Sequence, residues 1–278
     1  MTATTDTIDA DDAEFRALMD KITRERGFQC SSYKDKCLRR RIAVRLRARN
    51  ILTCGEYSRM LDGDEREYER LMRSLTVNVT KFFRNRETYS AIDQKVIPDL
   101  MDRSEREIRI WSAGCSSGEE PYSLAILLHR YAAARREAQR LEDVSIVGTD
   151  IDSDCIAEAE AAVYKDSTLG DTPADLHRDY FSRVDGLNAV LPAARRMVRF
   201  ELGDLLHFRA PVANAHLIVC RNVIIYFERA AQDALLAHFH ATLAPGGFLV
   251  LGKVETLLGE TRSLFSPVNA RERIFRKL

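Results

Sequence analysis

Cysteine pairs and long apolar runs are both missing from this chain. Its six cysteines are widely spaced, they form no CxxC pair, and no histidines stand near them in metal-ligand spacing. No apolar run approaches the roughly 20 residues that span a bilayer. The first residues, MTATTDTIDADD, are acidic and polar, unlike a signal peptide. We therefore expect a cytoplasmic protein with reduced thiols, no bound metal and no direct membrane insertion.

Net charge is missing as well, since Lys plus Arg and Asp plus Glu number 42 each over 278 residues. The overall charge therefore indicates no class of partner. Its distribution is uneven: residues 1–20 carry six acids and one base, whereas residues 21–50 carry eleven bases and two acids. The chain is long enough for a substantial core, in one large domain or two smaller ones.

The glycine patterns of nucleotide-binding turns are incomplete. In SAGCSSGEEP only Gly114 and Gly118 are present, whereas a dinucleotide site requires GxGxxG and a P-loop requires a lysine after its last glycine. Two acids, Glu119 and Glu120, stand where a phosphate would be expected. They suit a cationic ligand such as S-adenosylmethionine, which carries a sulfonium and an ammonium group and no phosphate.

A structural interpretation of the same residues is also open. The sequence SGEE at residues 117–120 resembles a capping box, with acids favoured by the helix dipole. Further polar residues at the predicted ends of later strands favour the ligand: Asp150, the pair Gly203-Asp204 and the pair Arg221-Asn222. An acid in the position of Asp150 hydrogen-bonds ribose hydroxyls in sheets of this kind.

Hydrophobic periodicity predicts an all-helical region followed by alternating strands and helices. Amphipathic helices are predicted at 14–26, 33–50, 55–61 and 65–75. Strands are predicted at 106–114, 143–150, 196–204, 215–222 and 247–253, and helices at 121–140, 153–163 and 228–243. Several of the strands are nearly continuous apolar runs, and their alternation with helices indicates a doubly wound, mainly parallel α/β sheet.

The predicted domains are a helical one with its linker at 1–88 and an S-adenosylmethionine-binding one at 89–278. RDYFSRV, within a less regular stretch, indicates a hairpin or excursion beside the sheet, and 165–203 is assigned to a small β subdomain.

Five segments together resemble one known family, the chemotaxis-receptor glutamate O-methyltransferases, or CheR family. They occur in that family's order and approximate spacing: SLTVNVTKFFRN (74–85), IWSAGCSSGEEPYSLA (110–125), GTDID (148–152), CRNVIIYF (220–227) and the GxxE element at 252–255. The stretch GFQCSSYKDKCLRRRIAVRLRA is similar to the family's helical domain, so the resemblance covers about residues 14–278.

The resemblance implies a class I methyltransferase-like fold and S-adenosylmethionine as cofactor, with S-adenosylhomocysteine as product. The implied acceptors are glutamates on the cytoplasmic helical region of methyl-accepting chemotaxis receptors, so that the enzyme is recruited to membrane receptor clusters. The implied cofactor residues are Asn78, Thr80, Arg84, Glu120 (in preference to Glu119), Asp150, Asp204, Leu205, Arg221 and Asn222. Arg84 and Tyr226 are implied to flank the transferring methyl group.

Two positions depart from the family's pattern. Many members read GHSE near the last strand, whereas this chain reads GKVE with Lys253 and Val254, and Asp204 stands where some members have asparagine. We expect Lys253 and Val254 to alter local packing or specificity.

The basic helix at 34–49 is the predicted receptor-binding element. Leu38, Ile42 and Leu46 form its apolar stripe, and Arg41, Arg45 and Arg49 form a row on the adjoining face. We expect this row to lack neutralising acids, because Asp35 is the only carboxylate in the helix, and to follow an acidic receptor surface. A solvated helix face is the alternative.

Two other functions remain open at the level of sequence. One is a methyltransferase acting on a small molecule or RNA, and the other is a non-enzymatic adaptor that binds receptors or nucleic acid. No nucleic-acid partner is expected, because no RNA-reading aromatic platform accompanies the basic helix.

Overall fold

The computed structural model describes residues 3–76, 78–103, 107–257 and 259–278, without the side chains of residues 3–10. The chain divides into two compact units. The helical unit comprises Met1–Val77 together with Tyr226–Ala231, and the sheet unit comprises Asn78–Ile225 together with Gln232–Leu278. In the described part of the chain, no helix is both long and apolar enough to cross a membrane.

Four helices build the described part of the helical unit, as the periodicity predicts, but the first begins at Ala3 and not at Glu14. They are α1 (Ala3–Arg26), α2 (Asp35–Arg49), α3 (Cys54–Leu61) and α4 (Glu65–Leu75). Thr53 and Asp64 begin α3 and α4 as N-caps, because their side chains accept the otherwise unpaired N–H groups of the first turn. In the predicted stripe of α2, Leu38 and Ile42 are buried, but Leu46 is only half buried.

A second segment of chain completes the helical unit. Tyr33 pairs with Phe227 in an antiparallel bridge. The Lys34 N–H donates to the Tyr226 carbonyl at 2.9 Å, and the Glu228 N–H donates to the Ser32 carbonyl at 2.8 Å. Residues 226–231 therefore belong to this unit although they are remote from it in sequence.

The sheet unit contains a seven-stranded sheet and a small three-stranded one. The strands are β1 (Ile108–Ala113), β2 (Val144–Asp150), β3 (Val163–Tyr164), β4 (Phe181–Val184), β5 (Leu187–Val190), β6 (Val198–Leu202), β7 (Ala215–Cys220), β8 (Leu243–Leu251), β9 (Phe265–Asn269) and β10 (Ile274–Lys277). The large sheet has the order β6-β2-β1-β7-β8-β10-β9, and only the pairings of β10 are antiparallel. The predicted doubly wound, mainly parallel sheet is confirmed.

Strand order reverses beside β1, which pairs with β2 on one side and with β7 on the other. Ligands of such sheets bind in the crevice at the carboxyl ends of the strands next to this switch point. The candidate polar residues after β1, β2 and β7 therefore share one edge of the sheet.

The remaining helices belong mainly to the sheet unit. They are α5 (Arg86–Ala91), α6 (Ile97–Met101), α7 (Glu119–Arg135), α8 (Ser153–Ala161), α9 (Ala174–Tyr180), α10 (Pro192–Arg195) and α11 (Arg229–Thr242). A π-helical turn, Ile92–Val96, joins α5 to α6. Helices α5, α6, α9 and α10 were not predicted from the sequence, and α7 begins two residues before its predicted start.

The small sheet, in the order β3-β5-β4, is the predicted β excursion. Its hairpin turns at Asp185 and Gly186, which both have positive φ, at 48° and 79°. Asp-Gly is the favoured pair for a two-residue hairpin turn, because that turn requires positive φ at both positions.

Candidate active site

The turn after β1 is shaped by close packing. Gly118 has φ of 93°, and a Cβ there would lie 2.8 Å from the Ala159 Cβ and 3.0 Å from the Phe200 ring. Gly114 has φ of 77°, and a Cβ there would lie 2.6 Å from Val223. Both glycines are thus required by conformation and by space.

The predicted capping box is wrong. Gly118 is the N-cap of α7 and has no side chain with which to cap. The Ser117 hydroxyl donates instead to the Glu119 carboxylate at 2.9 Å. Glu119 is 1% exposed, and burial raises its pKa to about 7, although hydrogen bonds from its own N–H, Ser117 and Thr80 oppose part of the rise. This carboxyl carries a proton for much of the time near neutral pH.

Glu120 has a different environment from its neighbour. Its Oε1 accepts from the Ser112 hydroxyl at 2.8 Å, and its Oε2 lies 3.6 Å from Arg221 Nη1. Burial raises the pKa of Glu120, whereas Arg221 and Ser112 oppose the rise. Glu120 therefore faces the crevice side chains after β7, and Glu119 faces Ser117 and Thr80.

Asp150 ends β2 and supports the neighbouring turn. Its two oxygens accept the N–H groups of Ser116 at 2.8 Å and Asp152 at 3.0 Å. Burial raises its pKa, and these hydrogen bonds oppose the rise. Asp152 caps α8, and it also accepts from the Asn78 amide at 2.7 Å. Asn78 and Asp150 are thus brought together through Asp152.

Arg221 is a buried junction between several of the predicted site residues. Its guanidinium donates to the Arg84 carbonyl at 2.8 Å and to Asn85 Oδ1 at 2.9 Å, and it lies beside Glu120. Arg84 itself is half buried and donates to the Val79 carbonyl at 2.6 Å. Arg221 therefore fixes the backbone that carries Arg84.

Glu255 organises the loop after β7, a role that the sequence analysis did not assign. Its carboxylate accepts N–H groups from Gly252 at 2.6 Å, Asn222 at 3.0 Å, Val223 at 2.9 Å and Ile225 at 3.3 Å. Burial raises the pKa of Glu255, and these four hydrogen bonds oppose the rise. The only signal in the sequence is the GxxE element itself.

The polar residues after β6 make fewer contacts with the other predicted site residues. Asp204 is half buried and accepts the Leu206 N–H at 2.9 Å, which caps the short 3₁₀ turn Leu205–His207. Its second oxygen lies 4.0 Å from His207. Leu205 is half buried beside it.

The predicted row on α2 does not have the expected environment. Arg45 donates through two nitrogens to the fully buried Glu67, at 2.8 to 3.0 Å, and Arg49 donates to Asp64 at 3.2 Å. The expectation of an unneutralised row is wrong for Arg45 and Arg49, because the N-cap and first turn of α4 supply acids that α2 lacks. Burial alone would raise the pKa of Glu67, but Arg45 and Tyr57 hold it below its usual value.

Two other predicted residues lie in the helical unit. Arg41 is half buried on α2, and Tyr226 is half buried in the segment that returns to this unit.

S-adenosylmethionine fits the residues at this sheet edge. Glu119, Glu120 and Asp150 are buried carboxyls with raised pKa values, and a cationic ligand would favour their ionised forms. Within the described residues, Asn222 Oδ1 is buried and has no hydrogen-bond partner, so an acceptor is available to a donor group of the ligand. The described residues contain no cluster of three or more His, Cys, Asp or Glu side chains that could hold a metal ion.

Comparison with known proteins agrees with this geometry. Residues 78–274 match a family described as "CheR methyltransferase, SAM binding domain", and residues 13–76 match "CheR methyltransferase, all-alpha domain". A chemotaxis protein methyltransferase of Listeria innocua is 32% identical, over 85% of this chain and 87% of its own. Chemotaxis protein methyltransferase 1 of Pseudomonas aeruginosa is 32% identical, over 89% and 90%.

Among solved structures, a TehB-like SAM-dependent methyltransferase from Corynebacterium glutamicum is 16% identical, with a TM-score of 0.38 over 66% of this chain and 85% of its own.

Proposed function

The chain belongs to the CheR methyltransferase family, and from that premise we propose that it methylates glutamate side chains of chemotaxis receptors. Membership makes it an S-adenosylmethionine-dependent methyltransferase of chemotaxis. The proposed products are glutamyl methyl esters on the receptors' cytoplasmic helical region and S-adenosylhomocysteine. The observation that most supports the proposal is the set of buried carboxyls of Glu119, Glu120 and Asp150 at the ends of two paired strands.

The proposed cofactor roles are those that the family resemblance implies, and these contacts support them. Glu120 would hold the methionine end, beside Arg221, and Asp150 would hold the ribose beside the turn that it already supports. The remaining proposed contacts are Asn78 and Thr80, Asp204 and Leu205 near the adenine, and Arg221 with Asn222. When bound, S-adenosylmethionine supplies an electrophilic methyl group.

The acceptor needs orientation more than activation. A glutamate carboxylate, with an ordinary pKa of about 4.3, is already ionised near neutral pH. Arg84 would hold it in a bidentate pair, and the Tyr226 hydroxyl would donate a further hydrogen bond. Arg221 and Asn85 keep the Arg84 backbone in place for that task. In-line positioning within a relatively dry pocket is then the main catalytic contribution.

Receptor recognition by α2 is the second part of the proposal, with recruitment to membrane receptor clusters. Arg41, Arg45 and Arg49 were predicted for it, but Arg45 is committed to Glu67. The contact would therefore rest on Arg41 and on the outer edge of Arg49, whose side chain is 34% exposed.

The test is transfer of label from radiolabelled S-adenosylmethionine to a panel of receptor cytoplasmic fragments. A glutamyl ester should release volatile methanol in mild alkali, whereas an N-methyl or ring-methyl product should not. Label that is stable to alkali would contradict the carboxyl assignment. No transfer to any fragment, despite cofactor binding in calorimetry, would favour an adaptor.

Matched variants separate the assigned roles. Asp150→Ala should weaken cofactor binding by about 1–3 kcal/mol, whereas Asp154→Ala, an exposed acid nearby, should not. Arg84→Ala and Tyr226→Phe should lower kcat more than cofactor affinity. Arg84→Lys should restore little, because lysine has no bidentate fork.

A further inference from the structure

A polar groove of about 450 Å³ lies on the sheet unit, outside the residues assigned above. Its walls are the first two turns of the helix that begins at Arg86 and the turn between β9 and β10. The helix follows directly after Arg84 and Asn85, whose positions Arg221 fixes. The groove therefore begins within two residues of the proposed methyl-transfer residue Arg84.

Cations outnumber carboxylates in and beside this groove. Arg86, Lys95 and Arg271 line it, together with Glu87 and Glu272. Lys253 adjoins it and pairs with both acids, at 3.1 Å from Glu87 and 3.5 Å from Glu272. Four cations thus face two carboxylates.

The two acids are already occupied. Glu272 is 4% exposed and also accepts from the Thr88 hydroxyl at 2.7 Å. Lys253 therefore neutralises carboxylates that would otherwise repel an acidic ligand. This residue is one of the two that depart from the GHSE pattern, so the departure changes the charge of the groove.

The lining cations keep their charge available. Arg86 donates to the backbone carbonyls of Asp171 and Gly170, at 2.8 and 2.9 Å, and Lys95 to that of Val268 at 3.3 Å. A carbonyl orients a cation but does not neutralise it. Arg271 Nε lies 3.8 Å from Glu272 Oε1, but the Arg271 side chain is 88% exposed and can still reach a ligand. Arg86 and Lys95 are separated by about 13 Å of helix, which lies between the spacings of carboxylates two and three turns apart on a partner helix.

We infer that this groove binds an acidic helical segment of the protein substrate, next to the glutamate that is methylated. The inference rests on the proposed function, because it takes the substrate to be a glutamate-rich helical protein. It assigns to the sheet unit a recognition surface separate from α2. Charge complementarity would contribute mainly to association and to substrate choice.

The first experiment uses a fluorescein-labelled Ala/Glu helical peptide with glutamates seven residues apart, and its Gln twin. Anisotropy at low salt should show tighter binding of the Glu peptide than of the Gln peptide to the wild-type protein. Lys95→Glu/Arg271→Glu should lose that preference. The control Arg196→Glu/Arg262→Glu, with exposed arginines outside the groove, should keep it. The inference would be overturned if both double variants kept the preference for the Glu peptide, or if both lost it.

The second experiment measures methylation of a receptor fragment. In the Lys95→Glu/Arg271→Glu variant, the KM for the receptor fragment should rise roughly tenfold, since each reversed charge replaces an attraction by a repulsion. Its kcat and its cofactor affinity should match those of the control double, and retained cofactor affinity also reports folding. Arg271→Glu alone, at the most exposed position, should give a smaller rise. An unchanged KM would overturn the groove while leaving the proposed function intact. If the wild-type protein methylates no receptor fragment, the proposed function is contradicted. The peptide-binding result then still tests whether the groove binds an acidic helix.

Discussion

The two neighbouring glutamates at the start of α7 differ in their surroundings and therefore in their properties. Glu120 lies beside a buried arginine, whereas Glu119 meets hydroxyl groups, and burial raises its pKa from 4.5 to about 7. The spacing in the sequence cannot distinguish them. The difference arises from Ser112 and Arg221, which the fold brings to Glu120 from two other strands.

Glu119 should make the stability of the sheet unit depend on pH. Between pH 4.5 and 7 the folded chain holds a proton that the unfolded chain has lost, so stability falls as pH rises through this window. Glu119→Gln removes this decrease in stability, because the amide does not titrate. The variant should gain about 1–3 kcal/mol relative to wild type on going from pH 5 to pH 8.

Denaturant unfolding followed by Trp111 fluorescence measures this effect. Trp111 is the only tryptophan, is 1% exposed and lies on β1, so it reports on the sheet unit. Glu142→Gln, at an exposed glutamate, should show the same pH dependence as wild type. If the difference in unfolding free energy between Glu119→Gln and wild type is the same at pH 5 and pH 8, the carboxyl does not titrate in this range.

At the scale of elements, the turn between β1 and α7 depends on glycine at position 118. Gly118→Ala adds a Cβ 2.8 Å from the Ala159 Cβ at a positive φ of 93°. We expect a loss of about 2–4 kcal/mol in stability and weaker cofactor binding, because the turn must shift. Gly170→Ala is the matched control, since a Cβ there meets nothing within 4 Å. Calorimetry and urea unfolding should separate the two variants, and equal effects would contradict the packing argument.

The elements that the sequence predicted are those with a strong local signal. β1, β2, β7 and β8 are continuous apolar runs, as strands covered on both faces must be. β9 and β10 carry no such run: β9 contains Pro267 at the sheet edge, and β10 has only two apolar residues, which two basic residues follow. The helix from residue 86 to 101 was missed, since a π-helical turn and Pro98 interrupt its pattern.

The candidate site shows the same division. Its carboxylates stand in motifs that can be identified along the chain, but the partners of those carboxylates are remote. Glu255 binds N–H groups some 30 residues away, and Glu67 meets Arg45 from another helix. Such contacts depend on tertiary structure. Neither the hydrogen bonds of Glu255 to the loop after β7 nor the pairing of the α2 arginines with acids could therefore be predicted from local spacing.

For the whole molecule, equal numbers of cationic and anionic residues leave no net charge to steer a partner. Local patches must therefore supply any electrostatic attraction. We expect the methylation of receptor fragments to slow as ionic strength rises from 0.01 to about 0.15 M, where the screening length shortens to about 8 Å. Cofactor affinity should change little over the same range, because its proposed contacts are buried.

Stopped-flow association and calorimetry in matched salt series test this expectation. A parallel weakening of both steps would show that salt acts on the protein as a whole. A methylation rate that does not vary with salt would remove the role assigned to surface charge.

The segment Tyr226–Ala231, which completes the helical unit, has a consequence for the order of synthesis. The ribosome makes the first 77 residues early, but it must add about 150 more before the bridge from Tyr33 to Phe227 can form. At roughly 5–20 residues per second, this interval lasts about 7–30 s. A nascent chain thus carries an incomplete helical unit throughout the translation of most of the sheet unit. The two units therefore reach their final form near the same moment, although residues 1–77 of the helical unit are made before the sheet unit.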